Sequence, residues 1–241
     1  MNKHLLSSLV LFFLLFLTVQ AQTRVSGRRA VVVDERLSVL RESPNIFGKF
    51  MRRVGRGRSV TILGQSRSRN GIVFYRVAVS SRTRGWMQRE ALVSKKSLGD
   101  DEKLLRLITA SESFDLIARA RIFLDTFPRS RLRPMVLLLT GKTAEAAAVR
   151  LSREAMRRLN EEEMKAGGAP SFSYFLNYSG LDRYNRQGIR FTFDRTEARF
   201  RYDGAAWREI MRRHPRSDEA IEARKRLDQN RERSDRVNGY P

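Results

Sequence analysis

The sequence predicts an α+β chain of more than one domain: a small β-barrel, then a mainly helical domain carrying an inserted β-hairpin. Three observations support this. Short apolar and β-branched runs separated by turn residues fill positions 30–95. After Lys95-Lys96-Ser97-Leu98-Gly99 the apolar period changes from two to about 3.6, which marks a linker and the start of helices. The stretch 167–203 opens on Gly167-Gly168-Ala169-Pro170 and is crowded with aromatic residues.

The N-terminus reads as an export signal. Asn2, Lys3 and His4 precede the apolar run Leu5–Val19, and Val19-Gln20-Ala21 supplies small residues for cleavage, so residues 1–21 are expected to be removed and the mature chain to begin at Gln22. The alternative is a retained membrane helix, but the run is shorter than the roughly 20 apolar residues a bilayer requires. No later stretch is apolar enough to span a membrane, so the expected location is periplasmic or extracellular, with no transmembrane segment after cleavage. The absence of cysteine excludes a lipidated N-terminus of the bacterial lipoprotein type and any disulfide framework, leaving the fold to its apolar core.

In the first domain, Ala30–Val33 and Leu37–Leu40 read as strands, followed by a turn at Ser43-Pro44-Asn45 and a long loop through Phe47-Gly48-Lys49. Gly55-Arg56-Gly57 turns the chain into a strand over Val60–Gly64. From Val73 to Val79, Val73, Tyr75, Val77 and Val79 share one face, while Phe74, Arg76 and Ala78 share the other. Strands this short and closely spaced predict a small barrel. The order Leu-x-Val-Leu-Arg-x-x-Pro from Leu37, Val-Gly-x-Gly-x-x-Val-x-Ile-Leu from Val54, Phe-Tyr-Arg-Val from Phe74 and Gly-Trp-Met-x-x-x-x-Leu from Gly85 resembles the bacterial SH3 family. One position departs from that pattern, because the family usually carries Trp where this chain has Phe74. The resemblance implies an SH3-like barrel with a shallow groove, lined by aromatics of the long loop and late strands, that takes wall peptides or protein segments. The candidate ligand-binding residues are then Phe47, Phe74, Arg76 and Trp86. Phe74 is the foremost of these, as a half-exposed ring beside Arg76; Phe47 and Trp86 have the alternative role of closing the barrel core.

The second domain is expected over residues 100–228, with a flexible tail at 229–241. Leu104, Leu105 and Ile108 give one helix; Leu116, Ala120, Phe123, Leu124 and Phe127 give a second that Pro128 ends. Ser130 is placed to cap a third, whose stripe runs through Val136, Leu139, Ala144, Ala148, Leu151, Ala155 and Leu159, with Gly141 as a loosening point. Phe127-Pro128-Arg129-Ser130 recurs as His214-Pro215-Arg216-Ser217, after a helix with Trp207, Ile210 and Met211 inward and before one with Ala220, Ala223 and Leu227 inward, with Ser217 as its cap. The second copy in particular resembles tetratricopeptide-like helical hairpins, which implies binding of protein segments or a plain helical scaffold. Between the copies, nine aromatic residues lie from Phe172 to Tyr202. Ile189, Phe191 and Phe193 alternate with Arg190 and Thr192, and Phe200 and Tyr202 with Arg199 and Arg201, predicting a hairpin that turns at Asp194–Glu197, with continuous helix as the alternative. Phe191, Phe193, Phe200 and Tyr202 are candidate partner-binding residues, or else a lid over helix surface.

The composition bounds function. A formal net charge of +22 favours anionic partners, although an arginine excess also follows from nucleotide composition alone. The charge is concentrated in Gln22–Ser97, with 18 basic against 4 acidic residues, so the first domain is the expected electrostatic docking surface. Thiol catalysis and thiolate metal sites are excluded, and removal of the leader leaves His214 as the single histidine. Gly55-Arg56-Gly57 lacks the length, lysine and following helix of a phosphate-cradling loop. A carboxylate pair of glycosidase type stays open. The expected protein is thus an exported, non-enzymatic binding or adaptor protein with no cofactor and no metal. A cell-wall or envelope component and a protein segment are its expected partners. The alternatives are a targeting module joined to a wall hydrolase and, disfavoured by export, a basic nucleic-acid-binding protein.

Overall fold

The computed structural model describes residues 27–238, so the expected leader lies outside the described residues. Seven strands form one antiparallel sheet: β1 (Arg28–Val32), β2 (Val39–Arg41), β3 (Phe50–Arg53), β4 (Ser59–Arg67), β5 (Val73–Ala78), β6 (Arg84–Gln88) and β7 (Leu92–Val93), in the order β3-β2-β6-β5-β4-β1-β7. No closed barrel is seen. β3 and β7 are the two edges, and β7, with only two residues, ends the ladder on β1 without meeting β3. The sheet nevertheless gathers its own core, because Val32, Leu40, Val60, Ile62, Tyr75, Val77, Met87 and Leu92, drawn from six strands, join one buried cluster. The alternation read along Val73–Val79 accounts for Tyr75 and Val77 pointing inward.

The helical part comprises α1 (Asp100–Thr109), α2 (Ser113–Thr126), α3 (Arg133–Arg158), the short α4 (Glu161–Ala166), α5 (Ser171–Leu176) and α6 (Asp182–Asn185), a hairpin of β8 (Phe191–Asp194) and β9 (Arg199–Tyr202), then α7 (Ala205–Arg213) and α8 (Glu219–Asn238). The expected flexible tail from residue 229 instead continues α8 as far as Asn238. At 26 residues α3 is the longest element, about 39 Å by the helical rise, and it touches α2, β9, α7 and α8. Small residues predominate on its inward face, where Gly141, Ala144, Ala147, Ala148 and Ala155 are all buried beside Leu137 and Leu151. Gly141 does not loosen the helix. A Cβ there would overlap the Trp207 ring, and the indole, itself fully buried, occupies that slot while its Nε1–H donates to Glu145 at 3.1 Å. Arg226 pairs with the same carboxylate at 3.0 Å, and the half-shielded Arg133–Glu209 bridge ties α7 to the start of α3.

The repeated tetrapeptide makes the same turn twice. Ser130 N–H donates to the Phe127 carbonyl at 3.1 Å between α2 and α3, and Ser217 N–H donates to the His214 carbonyl at 3.0 Å between α7 and α8. Neither hydroxyl is the cap that the sequence predicts. Ser130 Oγ donates to Asp101 at 2.7 Å and accepts the N–H of Leu132, the residue preceding α3, at 3.2 Å; among the described residues Ser217 Oγ and His214 Nε2 are buried without a partner. The backbone turn already supplies the helix start in both copies.

Sheet and helices are joined by a common core, in which Val33 and Val93 pack with Leu104, Ile108, Leu116, Ala120, Phe123 and Val136. Residues 95–99, expected as a linker, form a fastened turn. Asp100 Oδ2 accepts the Ser94 N–H at 2.7 Å, Ser94 Oγ donates to the Arg29 carbonyl at 2.7 Å, and the Lys103 ammonium donates to the Leu92 carbonyl at 2.7 Å. Burial pushes the Lys103 ammonium below its ordinary value, against the opposing charges of Asp100 and Glu90. On the other side of the joint, buried Arg119 donates to the Val33 carbonyl at 3.2 Å, and Arg56 pairs with Asp115 at 2.9 Å.

Two predictions follow from this packing. Gly141→Val drives two methyl groups into the Trp207 slot and is expected to cost about 1–3 kcal/mol. Urea denaturation followed by tryptophan fluorescence measures it, and a loss near zero would show that the slot is slack. At Asp34, the hydrogen-bonded Arg36 guanidinium at 2.7 Å holds the carboxyl below its ordinary value against the opposing effect of burial. A carboxyl lowered in the folded state contributes stability above the unfolded value of about 3.9 and loses it as pH falls through the lower folded value. Denaturation midpoints measured from pH 6 down to pH 2 should therefore fall less steeply for Asp34→Asn than for the parent chain.

Candidate functional site

The outer face of the sheet brings together residues far apart in sequence. In register, Phe50 on β3 lies opposite Arg41 on β2, Arg41 lies opposite Trp86 on β6, and Trp86 lies opposite Arg76 on β5. Directly opposed residues stand about 4.5–5.5 Å apart and project to one side, so these four make a row in which aromatic and cationic side chains alternate. Their in-sequence neighbours Leu40, Tyr75, Val77 and Met87 point into the core. Phe50 and Arg76 are exposed, and Arg41 and Trp86 are half-buried.

Gly85 lets this row form. A Cβ on Gly85 would meet Leu40, the Arg41 carbonyl and the Met51 sulfur, so glycine before Trp86 permits β6 to lie close to β2 and β3. A register shift after Leu40 sets Phe50 opposite Arg41. The loop between β2 and β3 is held over the same end. The Arg41 guanidinium donates to the Gly48 carbonyl at 2.8 Å, Phe47 N–H donates to Asn45 Oδ1 at 3.0 Å, and Lys49 pairs with Glu42 at 3.2 Å. Phe47 thereby stands out from an ordered loop at 86% exposure. It does not close the core.

Phe74 is corrected. It shares the outer face with Arg76, as the alternation requires, yet its ring is 0% exposed and offers nothing to a ligand. β5 lies between β4 and β6, and five of its six residues are buried on one side or the other, leaving Arg76 as its one exposed residue. Periodicity tells which face a residue occupies; whether that face is covered depends on the rest of the chain. Phe50 and Arg41 were missed by the sequence reading, since β3 has four exposed residues and no alternation to mark it as a strand. The only local hint is a pair of phenylalanines three apart, Phe47 and Phe50, among Lys49, Arg52 and Arg53.

The second set of candidates is also corrected. The hairpin forms, with Phe193 opposite Phe200 and Phe191 opposite Tyr202, and turns through Asp194, whose Oδ1 accepts the N–H groups of Thr196 and Glu197. Its aromatic face is spent on the protein's own core. Phe200 and Tyr202 are buried, and the partly buried Phe193 stacks on Phe175 with centroids 4.4 Å apart. Tyr202 Oη accepts the Ala206 N–H at 2.7 Å, and burial pushes the phenol well above its ordinary value. The other face is partly neutralised, Arg201 pairing with Asp194 at 2.8 Å and Glu197 at 2.9 Å. The hairpin is thus a lid over α3 and α5, with its aromatic face packed against them.

A cleft of about 730 Å³ lies between sheet and helices, lined among others by Glu35, Arg56, Asp115, Arg121, Asp125 and Arg186. Its charges largely satisfy one another: Arg56 holds Asp115, Arg121 holds Asp125 at 2.9 Å, and Glu35 accepts the Arg56 N–H at 2.8 Å. The sheet face differs in presenting Phe47, Phe50 and Arg76 to solvent. No family model, curated protein or solved structure matches this chain. The class defined by the fold is therefore an α+β protein with a seven-stranded antiparallel sheet joined to helices.

Phe74 and Phe47 are opposite in burial. Phe74→Ala removes a fully buried phenyl and is expected to cost about 3–5 kcal/mol of stability. Phe47→Ala, at an exposed loop tip, is expected to stay within about 0.5 kcal/mol of the parent chain. Parallel chemical denaturation of the two variants checks both figures, and a Phe74→Ala protein of unchanged stability would return that ring to the ligand candidates.

Proposed function

We propose that this chain is an exported, non-enzymatic binding protein whose strand-rich part is an SH3-like module holding a cell-envelope component, while the helical, tetratricopeptide-like part scaffolds a protein partner. The observation that supports the reading best is the row Phe50–Arg41–Trp86–Arg76, extended by Phe47 in its ordered loop. Aromatic faces offer flat apolar contact to sugar rings or peptide side chains. Guanidinium groups take carboxylates or phosphates through paired hydrogen bonds. Like rings in the row are two strands apart, about 10 Å, a spacing that suits an extended polymer better than a compact metabolite. A wall glycan with its anionic peptide stems combines these features. Export is supported by the basic start, the apolar run Leu5–Val19 and the small residue Ala21.

The test is retention of the chain from Gln22 onward on purified peptidoglycan, with anionic vesicles and single-stranded nucleic acid as parallel arms. General charge attraction is screened within about 3 Å at 1 M salt, whereas stacking is not. Retention on peptidoglycan should therefore survive high salt, and Phe47→Ala with Trp86→Ala should weaken it by about 1 kcal/mol per ring. High-salt retention indifferent to both rings would reduce the interaction to net charge. Release of soluble wall fragments, abolished by one Asp or Glu substitution, would make the protein a hydrolase.

A further inference from the structure

We propose that the turn at residues 95–99 is a docking loop for a bilayer surface carrying anionic phospholipid, a site separate from the sheet face and independent of what that face binds. The turn was expected to be a linker, yet it is the point where the described molecule presents its most exposed large apolar side chain. Leu98 is 105% exposed, as open as the residue in an extended peptide, and touches nothing that would shelter it. It is not carried there by slack chain. Ser97 N–H donates to the Ser94 carbonyl at 2.9 Å, Lys103 N–H donates to the Gly99 carbonyl at 2.9 Å, and Ser94 is itself bonded to Asp100 and to the Arg29 carbonyl. Both ends of the turn are thus fixed, and the loop meets a ligand with little ordering left to do.

Charge surrounds this leucine. Lys95, Lys96 and Arg129 line a cleft of about 790 Å³ together with Leu98, Phe127 and Pro128. All three cations are exposed, and their side chains make no hydrogen bond or ion pair with the described residues. Asp101, the one carboxylate lining the cleft, is occupied: its Oδ2 accepts the Ser130 hydroxyl at 2.7 Å, and its Oδ1 accepts the Glu102 N–H at 3.0 Å. An apolar tip ringed by free cations is complementary to a lipid interface. There the leucine enters the acyl boundary while lysine and arginine stay among the headgroups, their methylene stems lying along the apolar layer.

Two other occupants fit less well. A second copy of the chain would set the same three cations against each other. An acidic protein segment would satisfy the lysines but would have to anchor on a single projecting leucine, whereas protein interfaces take their affinity from aromatic or arginine side chains seated in pockets. A bilayer needs no shaped pocket for the leucine.

The chain has no cysteine, so Leu98→Cys accepts a single polarity-sensitive fluorophore, and Ile221→Cys, on another exposed apolar residue, serves as control. Both are made in the chain from Gln22 onward, since all three core clusters are built from residue 30 on. With mixed phosphatidylglycerol–phosphatidylcholine vesicles the label at 98 should shift to the blue and that at 221 should not; with phosphatidylcholine alone neither should shift. In co-sedimentation, Leu98→Asn should lower partitioning roughly tenfold. Lys95→Gln and Lys96→Gln should lower it roughly fivefold each. Arg224→Gln with Lys225→Gln removes equal charge elsewhere and should matter less. The proposal is overturned if the 98 and 221 labels respond alike, if the two charge pairs are equivalent, or if the 98 label shifts with polyglutamate and not with vesicles. That last outcome would identify an acidic-protein surface.

Discussion

The helical part is organised by one face of α3 on which small side chains predominate. Gly141, Ala144, Ala147, Ala148 and Ala155 let neighbouring elements approach the helix axis closely, and Trp207 fills the gap that glycine leaves. A large ring at a close crossing buries apolar area in one place, and its Nε1–H still needs an acceptor. Glu145, one turn along α3, supplies it and also receives Arg226 from α8. The same small-residue face receives the hairpin, whose Phe200 N–H donates to Ser152 on α3. Aromatic residues gathered in 172–202 are the counterpart of alanines gathered in 144–155, because together they make one packed layer.

The joint between sheet and helices applies the same economy to polar groups. Backbone groups on β1, at the end of β7 and in the turn after it would lose water on burial, and Ser94, Lys103 and Asp100 each satisfy one. With Val33 and Val93 entering the helical core, the sheet is held at a fixed place on the helices. This leaves the opposite edge, from Phe47 to Arg53, free in solvent, and there the exposed aromatics and arginines collect.

Local periodicity carried much of the reading. The alternation along Val73–Val79, the stripe from Val136 to Ala155 and the hairpin turning at Asp194 all appear in the structure, since each depends on neighbours within a few residues. Phe127-Pro128-Arg129-Ser130 and its echo form matching turns for the same reason. The errors fall where an outcome depends on distant chain. Phe74 lies on the face that alternation assigns it but is covered, Ser130 Oγ serves Asp101 as well as the turn before α3, and Ser217 Oγ is buried without a partner among the described residues.

By itself the sequence determined the succession of a strand-rich part, longer helices and an inserted hairpin, several turn positions and the side on which most apolar residues lie, because these follow from backbone geometry and the spacing of side chains. Only the tertiary structure decided that the sheet stays open, that β3 exists at all, and that Phe50, Arg41, Trp86 and Arg76 share a row. It also decided that Phe191, Phe193, Phe200 and Tyr202 serve the interior while Leu98 stands in solvent. Cross-strand register and coverage are properties of pairs of segments, and a single strand carries no record of its partner.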